Sequence, residues 1–110
     1  MNLPKLSVSL LDGSEPLHKR APAVDENGKA LSDFMMIIPG LRDKPRALVQ
    51  QTMADIHAAL SCFQDAVVFA EFNLKLNLLW VSIRPVHGIR VEIATAVQNR
   101  VPNARLVSHI

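Results

Sequence analysis

The chain predicts an α+β fold, and three observations carry that prediction. The first is Ala66 to Arg84, AVVFAEFNLKLNLLWVSIR, nineteen residues without a Gly or Pro. Through Phe72, Leu74, Leu76 and Leu78 its apolar residues alternate with Glu71, Asn73, Lys75 and Asn77, and then the phase moves by one to Leu79, Val81 and Ile83. Side chains of a strand alternate faces, so a one-residue slip marks a turn or a bulge. The stretch reads as an antiparallel hairpin turning within Asn73 to Asn77. The second observation is Val49, Met53, Ile56, Leu60 and Phe63, spaced by 4, 3, 4 and 3, which is one face of a helix. The third is Ile89, Ile93, Ala96, Val97 and Arg100, a second helical stretch after the hairpin. With a strand before the first helix and another after the second, the order over 33–110 is strand, helix, strand, strand, helix, strand. That is the ferredoxin-like βαββαβ sandwich, a four-stranded antiparallel sheet with two helices on one face, here preceded by an N-terminal arm.

Taken in order, residues 1–32 form the arm. Leu6, Val8 and Leu10 alternate with Ser7 and Ser9, as in a short strand ended by Asp12-Gly13, which would add an edge to the sheet. SEPLHKRAPAVDENGKALS follows, with two prolines, mixed charge and an Asn27-Gly28 turn signal. Long loops without structure of their own are usually functional or disordered, and disorder is the expectation for roughly 12–28. Asp33 to Ile38, DFMMII, is a continuous apolar run stopped by Pro39-Gly40 and reads as a strand buried on both sides. Asp43 or Lys44 is placed to cap the first helix, with Pro45 in its first turn. The polar Gln50, Gln51, Asp55 and His57 point away from its apolar stripe. Cys62, at its end beside Phe63, reads as a small buried hydrophobe.

After the hairpin, Pro85-Val86-His87-Gly88 leads into the second helix. Ile89, Val91 and Ile93 also alternate like a strand, but Ala94, Ala96, Gln98 and Arg100 continue as helix formers with no turn signal between. Val101-Pro102-Asn103 ends that helix, and ARLVSHI, Ala104 to Ile110, is the closing strand.

At 110 residues the chain is one domain plus its arm, 33–110 being the ferredoxin-like unit. Its hydrophobic fraction is 49% and its charged fraction 20%, ordinary for a soluble globular protein. Net charge is +2, the excess lying in 66–110, where five basic residues face Glu71 and Glu92. That is compatible with an anionic ligand but too sparse for the Lys/Arg stripe of a nucleic-acid binder. One cysteine excludes an internal disulfide and a four-cysteine zinc site. An unpaired thiol suits a reducing compartment, and no apolar run suggests a signal peptide or a membrane span, so a cytoplasmic setting is expected.

No phosphate loop, dinucleotide fingerprint, nucleophile elbow or metalloprotease helix is present. No catalytic residue, metal ligand or cofactor is assigned. His18, His57, His87 and His109 have no metal-ligand spacing, Asp55 and His57 point in different directions on a helix, and a Cys62–His57 pair lacks a third group to orient the base.

Two surfaces stand out instead. If Leu79, Val81 and Ile83 meet the helices, then Leu78, Trp80, Ser82 and Arg84 take the other sheet face, joined by apolar residues of the neighbouring strands. Exposed apolar patches of this kind mark interfaces, in which Trp and Met are enriched. The expectation is a homodimer through the sheet, with Trp80, Leu78, Phe69 and Val67 in the contact; the competing solution folds Leu6–Leu10 back over the face. The second surface is Arg84-Pro85-Val86-His87-Gly88-Ile89-Arg90. Arg84, His87, Gly88 and Arg90 surround a helix start, where unpaired N–H groups and the helix dipole favour a small anion. A plain loop with surface arginines is the simpler account of the same residues.

The function these features suggest is a non-catalytic binding module that self-associates through its sheet and takes a small anionic ligand or a protein partner. The alternative is a small enzyme with its site between subunits, using His87 or His57 with nearby arginines. RNA binding on the sheet face would use Trp80, Phe69 and Arg84, but no Lys/Arg-Gly-aromatic signature accompanies them.

Overall fold

The computed structural model describes the backbone of residues 6–9, residue 24, and residues 27–107. The disorder expected over roughly 12–28 falls almost wholly outside the described residues. Among the described residues, five strands and two helices follow one another: β1 (Leu6–Ser9), β2 (Ser32–Ile37), α1 (Arg46–Ser61), β3 (Val67–Asn73), β4 (Leu78–Ile83), α2 (Ile89–Arg100) and β5 (Arg105–Val107). A 3-10 turn, Leu41–Asp43, lies between β2 and α1.

The sheet order is β1-β3-β4-β2-β5. Strands β2 to β5 pair antiparallel throughout, with both helices on one face, as in a ferredoxin-like sandwich. β1 joins outside this unit and runs parallel to β3, with Leu6 opposite Ala70 and Ser9 opposite Asn73.

The core lies between sheet and helices. From the sheet come Phe34, Met36, Val67, Ala70, Phe72, Leu79, Val81 and Ile83; the helices add Ile56, Ala59, Leu60, Ile93, Ala94 and Val97. Val49, Met53, Phe63, Ile89 and Ala96 pack against its margin. Each large side chain removed from water here contributes roughly 1.5–3 kcal/mol. Val91 shows why the second segment is a helix and not a strand. Two positions from Ile89 and Ile93 it turns to the opposite side, and it is exposed.

The strand expected to be apolar on both sides is sided after all: Phe34 and Met36 are buried, Met35 is half-buried and Ile37 is exposed. The start of α1 also differs from expectation. Pro45 occupies the cap position itself (φ −55°, ψ 148°), Arg46 is the first helical residue, and no side chain caps the end. Proline fixes its own φ and keeps the preceding residue extended, so the break falls at Lys44, whose ψ is 157°. Asp43 is left in the 3-10 turn.

Cys62 is exposed, which corrects its reading as a buried hydrophobe. It stands just past the last helical residue, two positions and about 160° around the helix from the buried Leu60.

Candidate binding surfaces

The sheet face opposite the helices is built by strand alternation. Glu71, Trp80, Met35 and Val107 stand in one cross-strand row, and Asn73, Leu78, Ile37 and Arg105 in the next. Phe69, Ser82 and Asp33 form a third row. Trp80, Leu78 and Phe69 are each half-buried on this face. Val67 is not on it. The β3–β4 register shifts between Val67 and Phe69, leaving Val68 as the extra residue of a bulge. The bulge changes which residues face inward, and Val67 joins the core at 3% exposure. Val67 is therefore withdrawn from the proposed contact.

Although neither helix covers this face, water is kept from its middle. Ser82 is 1% exposed and Glu71 6%. The Trp80 indole Nε1–H is also buried and donates to no acceptor among the described residues. On the β2–β5 side, Ile37 and Arg105 are exposed.

The second surface is a shallow hollow of about 470 Å³ lined by Ser32, Ile83 and the run Pro85 to Val91. Gly88 caps α2 in the left-handed region, φ 77°, which brings the chain sharply out of the β4 extension and into the helix. The Val86 carbonyl accepts from the Ile89 N–H at 3.1 Å, and the Gly88 carbonyl accepts from the Glu92 N–H at 3.1 Å. Arg90 crosses to the start of β2, its Nη2 donating to Ser32 Oγ at 3.0 Å. His87 is exposed at the rim. Of the four residues the sequence singled out, His87, Gly88 and Arg90 line the hollow. Arg84 is directed elsewhere, its Nη1 donating to the Asp65 carbonyl at 3.0 Å, where it fastens the strand end to the α1–β3 loop. Ser32 was missed because it lies 58 residues from Arg90 and nothing local marks it.

The isolated titratable residues stay isolated. The His57 carbonyl accepts from Ser61 Oγ at 2.7 Å while its side chain is exposed, and Asp55 accepts from Gln51 at 3.2 Å. Cys62 Sγ faces the Ala58 carbonyl at 3.6 Å, one turn back on the helix. His18 and His109 lie outside the described residues. Among the described residues, no group of three or more His, Cys, Asp or Glu is placed to hold a metal ion. Among the described residues, no helix is long and apolar enough to cross a membrane.

Fold and surfaces together define a small ferredoxin-like α+β domain with a fifth strand at its edge. Compared with protein-family models, characterised proteins and solved structures, the chain matches none of them.

Proposed function

We propose that this protein is a non-catalytic binding module that pairs with a second copy of itself through the outer sheet face. The observation that carries the reading is the apolar row on that face: Met35, Trp80 and Val107 side by side, with Leu78 and Ile37 in the next row. Helices sandwich only one side of the sheet, and an antiparallel sheet of a monomer normally turns polar residues to water on the other. Each large apolar side chain withdrawn by a partner adds roughly 1.5–3 kcal/mol, so three or four of them suffice for a stable contact. A homodimer in the cytoplasm, where a single unpaired thiol stays reduced, fits this composition.

The hollow beside Gly88 supports a secondary role, the binding of a small anion by Arg90 and the first turn of α2. Sedimentation equilibrium over a wide concentration range tests the primary reading. A dimer that Ile37→Glu dissociates without loss of helical circular dichroism supports it. A wild-type chain that stays monomeric at the highest concentration removes it.

A further inference from the structure

Charge is sorted between the two ends of the sheet. Strands β2 and β3 finish, and β4 and β5 begin, at one end, where Ile37 lies opposite Leu78 and Arg105, and Asn73 opposite Leu78. The same end holds the turn before α1, tied to the β3–β4 turn by the Arg42 Nη1 bond to the Lys75 carbonyl at 3.1 Å. The close of α2 is there too, where Asn103 Nδ2 donates to the Pro39 carbonyl at 3.4 Å. These segments bring together Arg42, Lys44, Arg46, Lys75, Arg100 and Arg105, all exposed, and among the described residues only Asp43 opposes them there. The opposite end mixes signs: Asp33, Asp65 and Glu92 stand among Lys29, Arg84 and Arg90.

Neighbouring strands lie about 4.8 Å apart, so this end is only about 15 Å wide from β3 to β5. The Debye length at physiological salt is about 8 Å, and charges this close act as one patch. Sequence hides it, because Arg42 and Arg105 become neighbours only through the β2–β5 pairing. Two exposed leucines share the patch: Leu76, 55% exposed in the β3–β4 turn, and Leu48, 53% exposed in the first turn of α1. No exposed aromatic side chain stands among the described residues here. A single-stranded nucleic acid needs stacking aromatics, and a duplex backbone gains nothing from leucines. Basic residues around projecting leucines suit the interface of an anionic bilayer, where cations meet headgroups and aliphatic side chains enter the acyl boundary.

We infer that this end of the molecule is a docking surface for an anionic phospholipid bilayer, with Leu76 as the inserted side chain. Lys44, Arg46 and Lys75 meet the headgroup phosphates and carboxylates around it. Such a contact lies on the membrane and needs no spanning helix. It is also separate from pairing through the outer sheet face, whose row of Met35, Trp80 and Val107 stands further back along the strands.

The test is co-sedimentation of the full-length chain with vesicles of phosphatidylcholine containing about 30% phosphatidylserine. The parent protein should bind them at low ionic strength, dissociate at high, and leave pure phosphatidylcholine vesicles alone. Each Lys or Arg at an anionic surface raises the partition about fivefold, so Lys44→Gln with Arg46→Gln should lower it about 25-fold. Leu76→Ser should lower it about tenfold. These side chains are exposed, so melting temperatures should match the parent's. A parent chain that stays in the supernatant, or that binds both vesicle types alike, would overturn the assignment. Vesicle binding that Leu76→Ser leaves intact would do the same, as would a chain that ignores the vesicles and binds duplex RNA instead.

Discussion

The Oδ1 of Asn77 accepts a hydrogen bond from the backbone N–H of Arg42 at 2.8 Å, joining the β3–β4 turn to the turn that precedes α1. The Asn77 carbonyl accepts from the Ile38 N–H, also at 2.8 Å, and Arg42 Nη1 donates to the Lys75 carbonyl at 3.1 Å. Asn77 is itself left-handed, φ 56°, a conformation Asn tolerates better than other side chains with a Cβ. Asn77→Gly keeps the backbone and loses the side-chain bond, so it should cost about 1 kcal/mol. Asn77→Ala loses the bond and adds left-handed strain, and should cost about 2–3 kcal/mol. Urea unfolding of the two variants measures the difference; equal losses would mean that the backbone conformation contributes nothing.

Gly88 isolates a purely conformational effect. A Cβ there would meet nothing within 4 Å, yet φ is +77°. Gly88→Ala should therefore destabilise by about 1–2 kcal/mol, and Gly88→Asn by less. Inorganic phosphate should shift the amide signals of residues 84–91 before any others in the parent protein, and Arg90→Ala should abolish that response. Signals in this run that stay still throughout the titration would leave the hollow without an anion.

The bulge predicts opposite behaviour for two residues on one strand. Val67→Ala opens a cavity in the core and should cost about 2 kcal/mol whatever the protein concentration. Phe69, on the other face and only half-buried, should cost less to truncate in isolation and more where that face is covered. Thermal melts at two protein concentrations separate the cases. Matching losses at both positions would place Val67 and Phe69 in similar surroundings, against the register observed.

Trp80 gives a paired test. Its buried indole N–H has no acceptor among the described residues, and such a donor costs about 1–3 kcal/mol. Trp80→Phe removes the unsatisfied group and keeps most of the apolar area, so stability should stay within about 1 kcal/mol of the parent. Trp80→Glu should dissociate the dimer or unfold the chain, read by sedimentation and circular dichroism together. A monomeric, fully folded Trp80→Phe protein would show that the indole nitrogen is needed for the contact.

Much of the fold was legible because its signals are local and periodic. The phase slip between Leu78 and Leu79 locates the hairpin turn, and the 4, 3, 4, 3 spacing from Val49 to Phe63 locates the inward side of α1. Connection rules then leave few ways to order the four antiparallel strands. What stayed hidden depends on partners far away in sequence. Nothing near Val67 announces the bulge that turns it into the core, because a bulge is a mismatch between two strands. Arg84 looked like half of an anion fork, but a carbonyl nineteen residues earlier takes its guanidinium. Cys62 was misjudged on residue type, when its angle around the helix decides its exposure.

The most direct test of the account is an isotope-filtered nuclear Overhauser experiment on a sample mixed from enriched and unenriched chains. Contacts between copies should arise from the outer sheet face, at Met35, Ile37, Leu78, Trp80 and Val107. A spectrum with no contacts between copies from that face, recorded at a concentration where the protein sediments as a single chain, would contradict it.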